Sequence, residues 1–251
     1  MNRVRLLVLV LVLLISWSPV FGQDPAPDPA AAPAKIWSGS FGAGLALTGG
    51  NSDTANYNLS FDLLRDPKTK NLMKFGGSYL RGDSEGEATV DRLALGFRDE
   101  YSLSPRTFVY GDLSYLRDTF KLIDYLIAPT AGVGYRVYDT DAVKFSVNGG
   151  GGAVWEKNPG LETNSSGSVT AGDDFAWALS ERARITQVLA ALWKTSDFGD
   201  YLLHFGVGLA ASITARSELK VEFLDDYKNL PASVDTKKND TAFVTTFIFK
   251  F

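Results

Sequence analysis

After residue 36 the hydrophobic and polar residues of this chain alternate with period 2 almost to its last position. In "TANYNLSFDLL" one face carries Ala55, Tyr57, Leu59, Phe61 and Leu63, and the other Thr54, Asn56, Asn58, Ser60 and Asp62. "VKFSVNGGGGAVW" sets Val143, Phe145, Val147, Ala153 and Trp155 against Lys144, Ser146, Asn148 and the intervening glycines. "YLLHFGVGLAASIT" sets Tyr201, Leu203, Phe205, Val207, Leu209 and Ile213 against His204, Gly206, Gly208, Ala210, Ser212 and Thr214. Successive side chains of a strand point to opposite faces, so these segments are long, two-faced strands. No helical period competes, and no apolar run in this region reaches the roughly 20 residues of a spanning helix.

The pattern predicts strands over 36–48, 54–65, 72–81, 87–103, 107–119, 124–138, 143–157, 166–180, 183–194, 201–214, 218–229 and 239–251. Twelve is an even number. "DPKTKN", "LSPRT", "DTDA", "LSERA" and "TARS" are short polar turns at every second connection, and the connections between them are more varied and generally longer. The fifth-to-sixth connection, "FKLID", is short for its side. This asymmetry is that of an up-and-down outer-membrane β-barrel, with both barrel termini on the short-turn, periplasmic side.

Alternation does not say which face is outside. The polar face is poor in Lys and Glu and rich in Gly, Ser, Thr, Asn and Ala, which suits a confined lumen better than a water-covered sheet. Trp37, Tyr79, Tyr101, Tyr135, Trp155, Trp177, Trp193, Tyr201 and Phe251 fall near strand ends, as interfacial girdles require. The apolar face is therefore expected to meet lipid, and a closed barrel would satisfy its backbone polar groups there. Asp173 falls on that apolar register, which predicts a bulge, a register change or a place near the outer interface. "ARITQVLAALW" is apolar on both faces and leaves the orientation of strand nine open.

The N-terminal segment changes the picture by supplying a compartment. Arg3 and Arg5 precede an unbroken apolar run from Leu6 to Ile15, followed by Val20-Phe21-Gly22, so residues 1–22 read as a cleaved signal peptide. Residues 23–35 read as a Pro/Ala-rich periplasmic linker, and 36–251 as the barrel. Without Arg3 and Arg5 the 25 basic residues become 23 against 29 acidic ones, a formal charge of −6. That balance argues against a nucleic-acid partner. There is no cysteine, which excludes disulfides, a lipoprotein anchor and thiolate chemistry.

"LTGGNSDTANYNLSFDL", "YLRDTFKLIDYLIAPTAGVGYRVYDTD" and "ELKVEFLDDYKNLP…KKNDTAFVTTFIFKF", in this order and spacing, resemble the salt-induced outer-membrane protein family, also called domain of unknown function 481. The resemblance runs from Trp37 to Phe251 and implies a bacterial outer-membrane location without a firmly assigned activity. The terminal run also looks like an outer-membrane assembly signal. Phe251 is last, Phe243, Phe247 and Phe249 alternate before it, and Thr245 departs from the alternation. Outer-membrane lipid, lipopolysaccharide and the assembly machinery are the partners this implies.

Candidate chemistry is sparse. Asp62, Lys74, Arg92, Arg98, Glu100, Lys220 and Glu222 fall on inward registers, where they would either line a solute-selecting lumen or form a salt-bridged plug that fills it. His204 is the only histidine, and a hydrolase site would need a nucleophile beside it and a third group orienting it; Ser212 and Thr214 lie too far along the strand. Asp118 reads as a rim or loop-anchoring residue, and Asp53, Asp83, Glu85 and Glu87 as acidic loop residues open to divalent cations or lipopolysaccharide. "GGGG" at 149–152 is not followed by a helix start or Lys-Ser/Thr, so it is no phosphate loop and instead permits a kink or close packing of a lumen side chain. No cofactor or metal signature emerges. The expectation is a non-enzymatic outer-membrane barrel, a narrow passive channel or structural envelope protein, with an outer-membrane lipid hydrolase or a soluble periplasmic β-barrel binding protein as alternatives.

Overall fold

The structure is a computed structural model that describes residues 35–49, 54–84, 87–119 and 121–251. The signal-peptide and linker readings for 1–34 lie outside the described residues, as do the side chains of Asp53, Asp83, Glu85 and Glu87. Twelve strands follow in order: β1 (Trp37–Gly49), β2 (Thr54–Arg65), β3 (Asn71–Ser84), β4 (Glu87–Ser102), β5 (Thr107–Asp118), β6 (Ile123–Asp139), β7 (Val143–Lys157), β8 (Asn164–Ser180), β9 (Ala183–Lys194), β10 (Asp197–Ser212), β11 (Ser217–Lys228) and β12 (Asn239–Lys250). Each pairs antiparallel with its sequence neighbours, and β12 returns to β1 to close the barrel.

The five short turns share one device. Asp66, Ser104, Thr140, Ser180 and Thr214 each accept a backbone N–H two or three residues ahead with a side-chain oxygen. Such bonds hold a tight reversal without help from the rest of the fold. Trp37 and Phe251 lie at this "turn end", where Gly39 and Phe251 exchange backbone hydrogen bonds of 3.1 and 3.0 Å across the seam. At the opposite "loop end", β1, β3, β6, β8 and β10 extend further than the pattern predicts. β10 begins at Asp197 through an irregularity between Asp197 and Tyr201, so the "TSDFGD" loop shrinks to residues 195–196.

Outward positions are the large apolar ones: Phe41 is 60% exposed, Leu45 74% and Phe243 59%. A continuous belt of such residues has no place in water and suits lipid. Trp37, Tyr101, Tyr135 and Trp177 are exposed toward the turn end, and the Trp193–Tyr201 pair with the Tyr201–Tyr227 stack lies toward the loop end.

Asp173 corrects an expectation. Pairing through Val147 on β7 and Leu189 on β9 is unbroken, and the irregularity in β8–β9 lies at Ala178/Ser180 instead. The carboxyl therefore keeps the outward register, four residues and about 13 Å along the strand from the Trp177 girdle. No bulge or register change turns it inward.

The glycine run seats a lumen side chain. Gly132 on β6 pairs with Gly150 on β7, and a Cβ on either would come within 2.7 Å of the Tyr110 hydroxyl. It would also come within 2.2 and 2.4 Å of the Gly149 and Ala131 carbonyl oxygens, respectively. Only bare backbone leaves room there for the buried Tyr110 ring.

Candidate functional site: a loop-end plug and a turn-end cup

All seven inward candidates point into the barrel, but they fall into two regions with different physics. Arg92 belongs to the loop end. Its guanidinium grips Asp226 with two hydrogen bonds, one of them 2.9 Å, and its Nε lies 3.4 Å from Asp118. Arg92 is on β4 and Asp226 on β11, five strands away around the wall, so this pair bridges the lumen rather than one wall. Lys121 Nζ similarly reaches Asp240 at 2.8 Å and the Lys238 carbonyl at 2.8 Å. Glu156 on β7 takes Lys194 Nζ at 2.7 Å and also the Lys228 ammonium, while Lys194 holds Asp200 at 2.5 Å.

Glu156 and Lys228 are each 2% exposed. Inward side chains of a water-filled lumen would be wetted, so this burial means the space is filled. Ile123, Leu126, Ala128 and Val154 are buried in the same region with Leu116, Leu192 and Leu202 packed on them, and a second cluster joins Leu80, Ala242 and Val244. Ion pairs this dry hold only because each carboxylate meets cations at hydrogen-bond distance.

Toward the turn end the lumen opens into a cup of about 1090 Å³, lined among others by Leu72, Lys74, Glu100, Arg136, Asp174 and Lys220. The Glu100 carboxylate is its centre of charge. Lys74 Nζ is 2.7 Å away, Arg98 Nε 3.0 Å and the nearest Arg136 nitrogen 3.7 Å. The two guanidiniums lie over aromatic faces, Arg98 at 3.8 Å from the Tyr110 ring centre and Arg136 at 4.7 Å from that of Phe108. Stacking fixes their planes, a benefit Lys would not gain. Across the cup Lys220 pairs with Glu222 at 2.5 Å, and Asp62 takes only a 3.4 Å bond from Ser40.

Asp118, read from sequence as a rim residue, is buried and paired with Arg92. His204 Nδ1 lies 2.8 Å from Asp226 Oδ1, so the imidazole does have an orienting carboxylate. Among the described residues no serine or threonine hydrogen-bonds it, and Nε2 faces Gly206, a residue with no nucleophile. No group of acidic residues and histidine that could hold a metal occurs among the described residues. Sequence reasoning missed Glu156, Lys194, Lys228, Asp226 and Arg136. All sit on inward parity, and extending the face count into the strand ends would have found them.

Solved structures share the architecture. "NanC porin" superposes with a TM-score of 0.57 at 8% identity, over 84% of this chain and 100% of that one. The translocator domain of the autotransporter NalP from Neisseria meningitidis gives 0.51 at 10% identity, over 87% and 89%. At such identities the likeness is one of fold. In sequence, "Uncharacterized protein YdiY" of Escherichia coli (strain K12) is 24% identical over 199 residues, 76% of this chain and 78% of the relative. The family model described as "Protein of unknown function, DUF481" matches residues 41–251, so the chain belongs to the DUF481 family and builds it as a porin-like, outer-membrane-type β-barrel.

Proposed function

We propose that this protein is a non-enzymatic barrel of the bacterial outer membrane, closed to through-passage at its loop end and presenting a polar cup to the periplasm. The observation that carries the reading is the set of ion pairs spanning the lumen, Arg92–Asp226, Lys121–Asp240 and Glu156–Lys228, with apolar side chains packed beneath them. A passive channel needs a continuous wetted path, and these contacts interrupt it. The porin likeness supports the membrane setting, while the filled lumen favours a structural envelope role over free diffusion. In this reading lipid covers the outer face, and lipopolysaccharide surrounds the loop end.

A hydrolytic role is disfavoured because His204 lacks a nucleophile beside it. Planar-bilayer recording on refolded wild-type protein tests the proposal. The expected record shows no discrete steps above the bare bilayer at moderate voltage, and stable open steps would overturn it.

A further inference from the structure

Two charged groups lining the cup make no side-chain hydrogen bond among the described residues. Glu100 satisfies Lys74 and Arg98 at 2.7 and 3.0 Å, whereas Arg136, 3.7 Å from the same carboxylate, makes no side-chain hydrogen bond among the described residues. Its plane is nonetheless held against Phe108, and it lines the open volume. A fixed guanidinium with unused donors matches a carboxylate in two-point geometry. Asp174 also lines the cup, is exposed on the inner face, and has no ion-pair or hydrogen-bond partner among the described residues. Both pair with Ser146, from opposite sides, so Arg136 and Asp174 stand two strand spacings apart, about 10 Å between their backbones.

We propose that the cup is a binding site for small zwitterions of the amino-acid and short-peptide class, with the ligand carboxylate on Arg136 and its ammonium on Asp174. A donor fork with no hydrogen-bonded acceptor and an unpaired carboxylate facing one cavity create a transverse field, and a zwitterion lies along it with both ends satisfied. The cup volume of about 1090 Å³ leaves room for the ligand and its residual water. The inference rests on the cup facing the periplasm for its biological setting, but not for its chemistry.

The test is calorimetric titration of the refolded full chain in detergent with L-alanyl-L-alanine, N-acetyl-alanine and alaninamide as probes. The dipeptide should bind about tenfold or more tighter than either singly charged probe, since each charge-assisted contact is worth at least about tenfold. Arg136→Gln should weaken the dipeptide and N-acetyl-alanine alike by about tenfold, with Arg136→Lys in between. Asp174→Asn should weaken the dipeptide by a similar factor and leave N-acetyl-alanine unchanged. Variants are compared only where heat-modifiable gel migration shows a folded barrel, and Arg136→Lys serves if Arg136→Gln fails to fold. Absence of dipeptide binding, equal binding of dipeptide and N-acetyl-alanine, or a dipeptide affinity indifferent to both sites would overturn the proposal. Binding in detergent is independent of conductance, so its failure is separable from failure of the closed-barrel reading.

Discussion

Glu156→Gln should destabilise the barrel by about 3–5 kcal/mol, the typical consequence of stripping a buried pair of one partner. Lys194 would retain Asp200 at 2.5 Å, but Lys228 would be left with a buried ammonium whose ion-pair partner is gone. Unfolding in urea from lipid vesicles should show the loss as an earlier midpoint. The same variant should admit water to the loop end and produce flickering conductance that the wild type lacks. If the plug acts through desolvated charge, the double change Glu156→Leu with Lys228→Met should recover most of the stability and restore closure, because apolar residues of similar volume replace buried ion pairs at little cost. A Glu156→Gln midpoint equal to wild type would show that these contacts do not hold the loop end together.

Deletion of Phe251 should lower the yield of inserted barrel in cells several-fold while moving the unfolding midpoint of barrel already inserted by much less. Phe251 exchanges two backbone hydrogen bonds with Gly39, and its ring stacks on Phe41 at 5.7 Å. Losing two such bonds costs about 1–3 kcal/mol. The rest of the β1–β12 register, Ser40↔Lys250 through Gly49↔Thr241, stays in place. A much larger insertion defect would mark Phe251, with Phe243, Phe247 and Phe249 before it, as a signal read during assembly. Heat-modifiable band intensity in outer-membrane fractions measures insertion, and equal intensity for the two proteins would remove the signal role.

Period-2 alternation carried the strand number and the lipid-facing side because both depend only on where consecutive side chains point. It put Tyr57, Leu59 and Phe243 outward and Arg92 and Glu100 inward, as found. It could not carry the plug. Arg92 and Asp226 are 134 residues apart in sequence and meet because the barrel's stagger brings β4 and β11 to face each other across the lumen at one height. Glu156, Lys194 and Lys228 sit at the ends of the predicted strands, where charges ordinarily mean exposure, and their burial follows from the ion pairs that join β7, β9 and β11 there. Asp173 shows the opposite case. Its anomaly was visible in the sequence, but the pattern invited a bulge that the unbroken β7–β8–β9 register does not contain.

The chain has no native cysteine, so single introduced thiols can report which end of the lumen is open. Ser146→Cys places one in the cup, and Val234→Cys places one on the loop-end surface, where Val234 is fully exposed at 101%. Cells are treated with a maleimide attached to a polymer too large to cross other pores, before and after the outer membrane is permeabilised. A barrel plugged at its outer end and open to the periplasm labels Val234→Cys in intact cells and Ser146→Cys only after permeabilisation. Labelling of Ser146→Cys in intact cells would mean that the cup communicates with the outside, and a closed loop end could not stand.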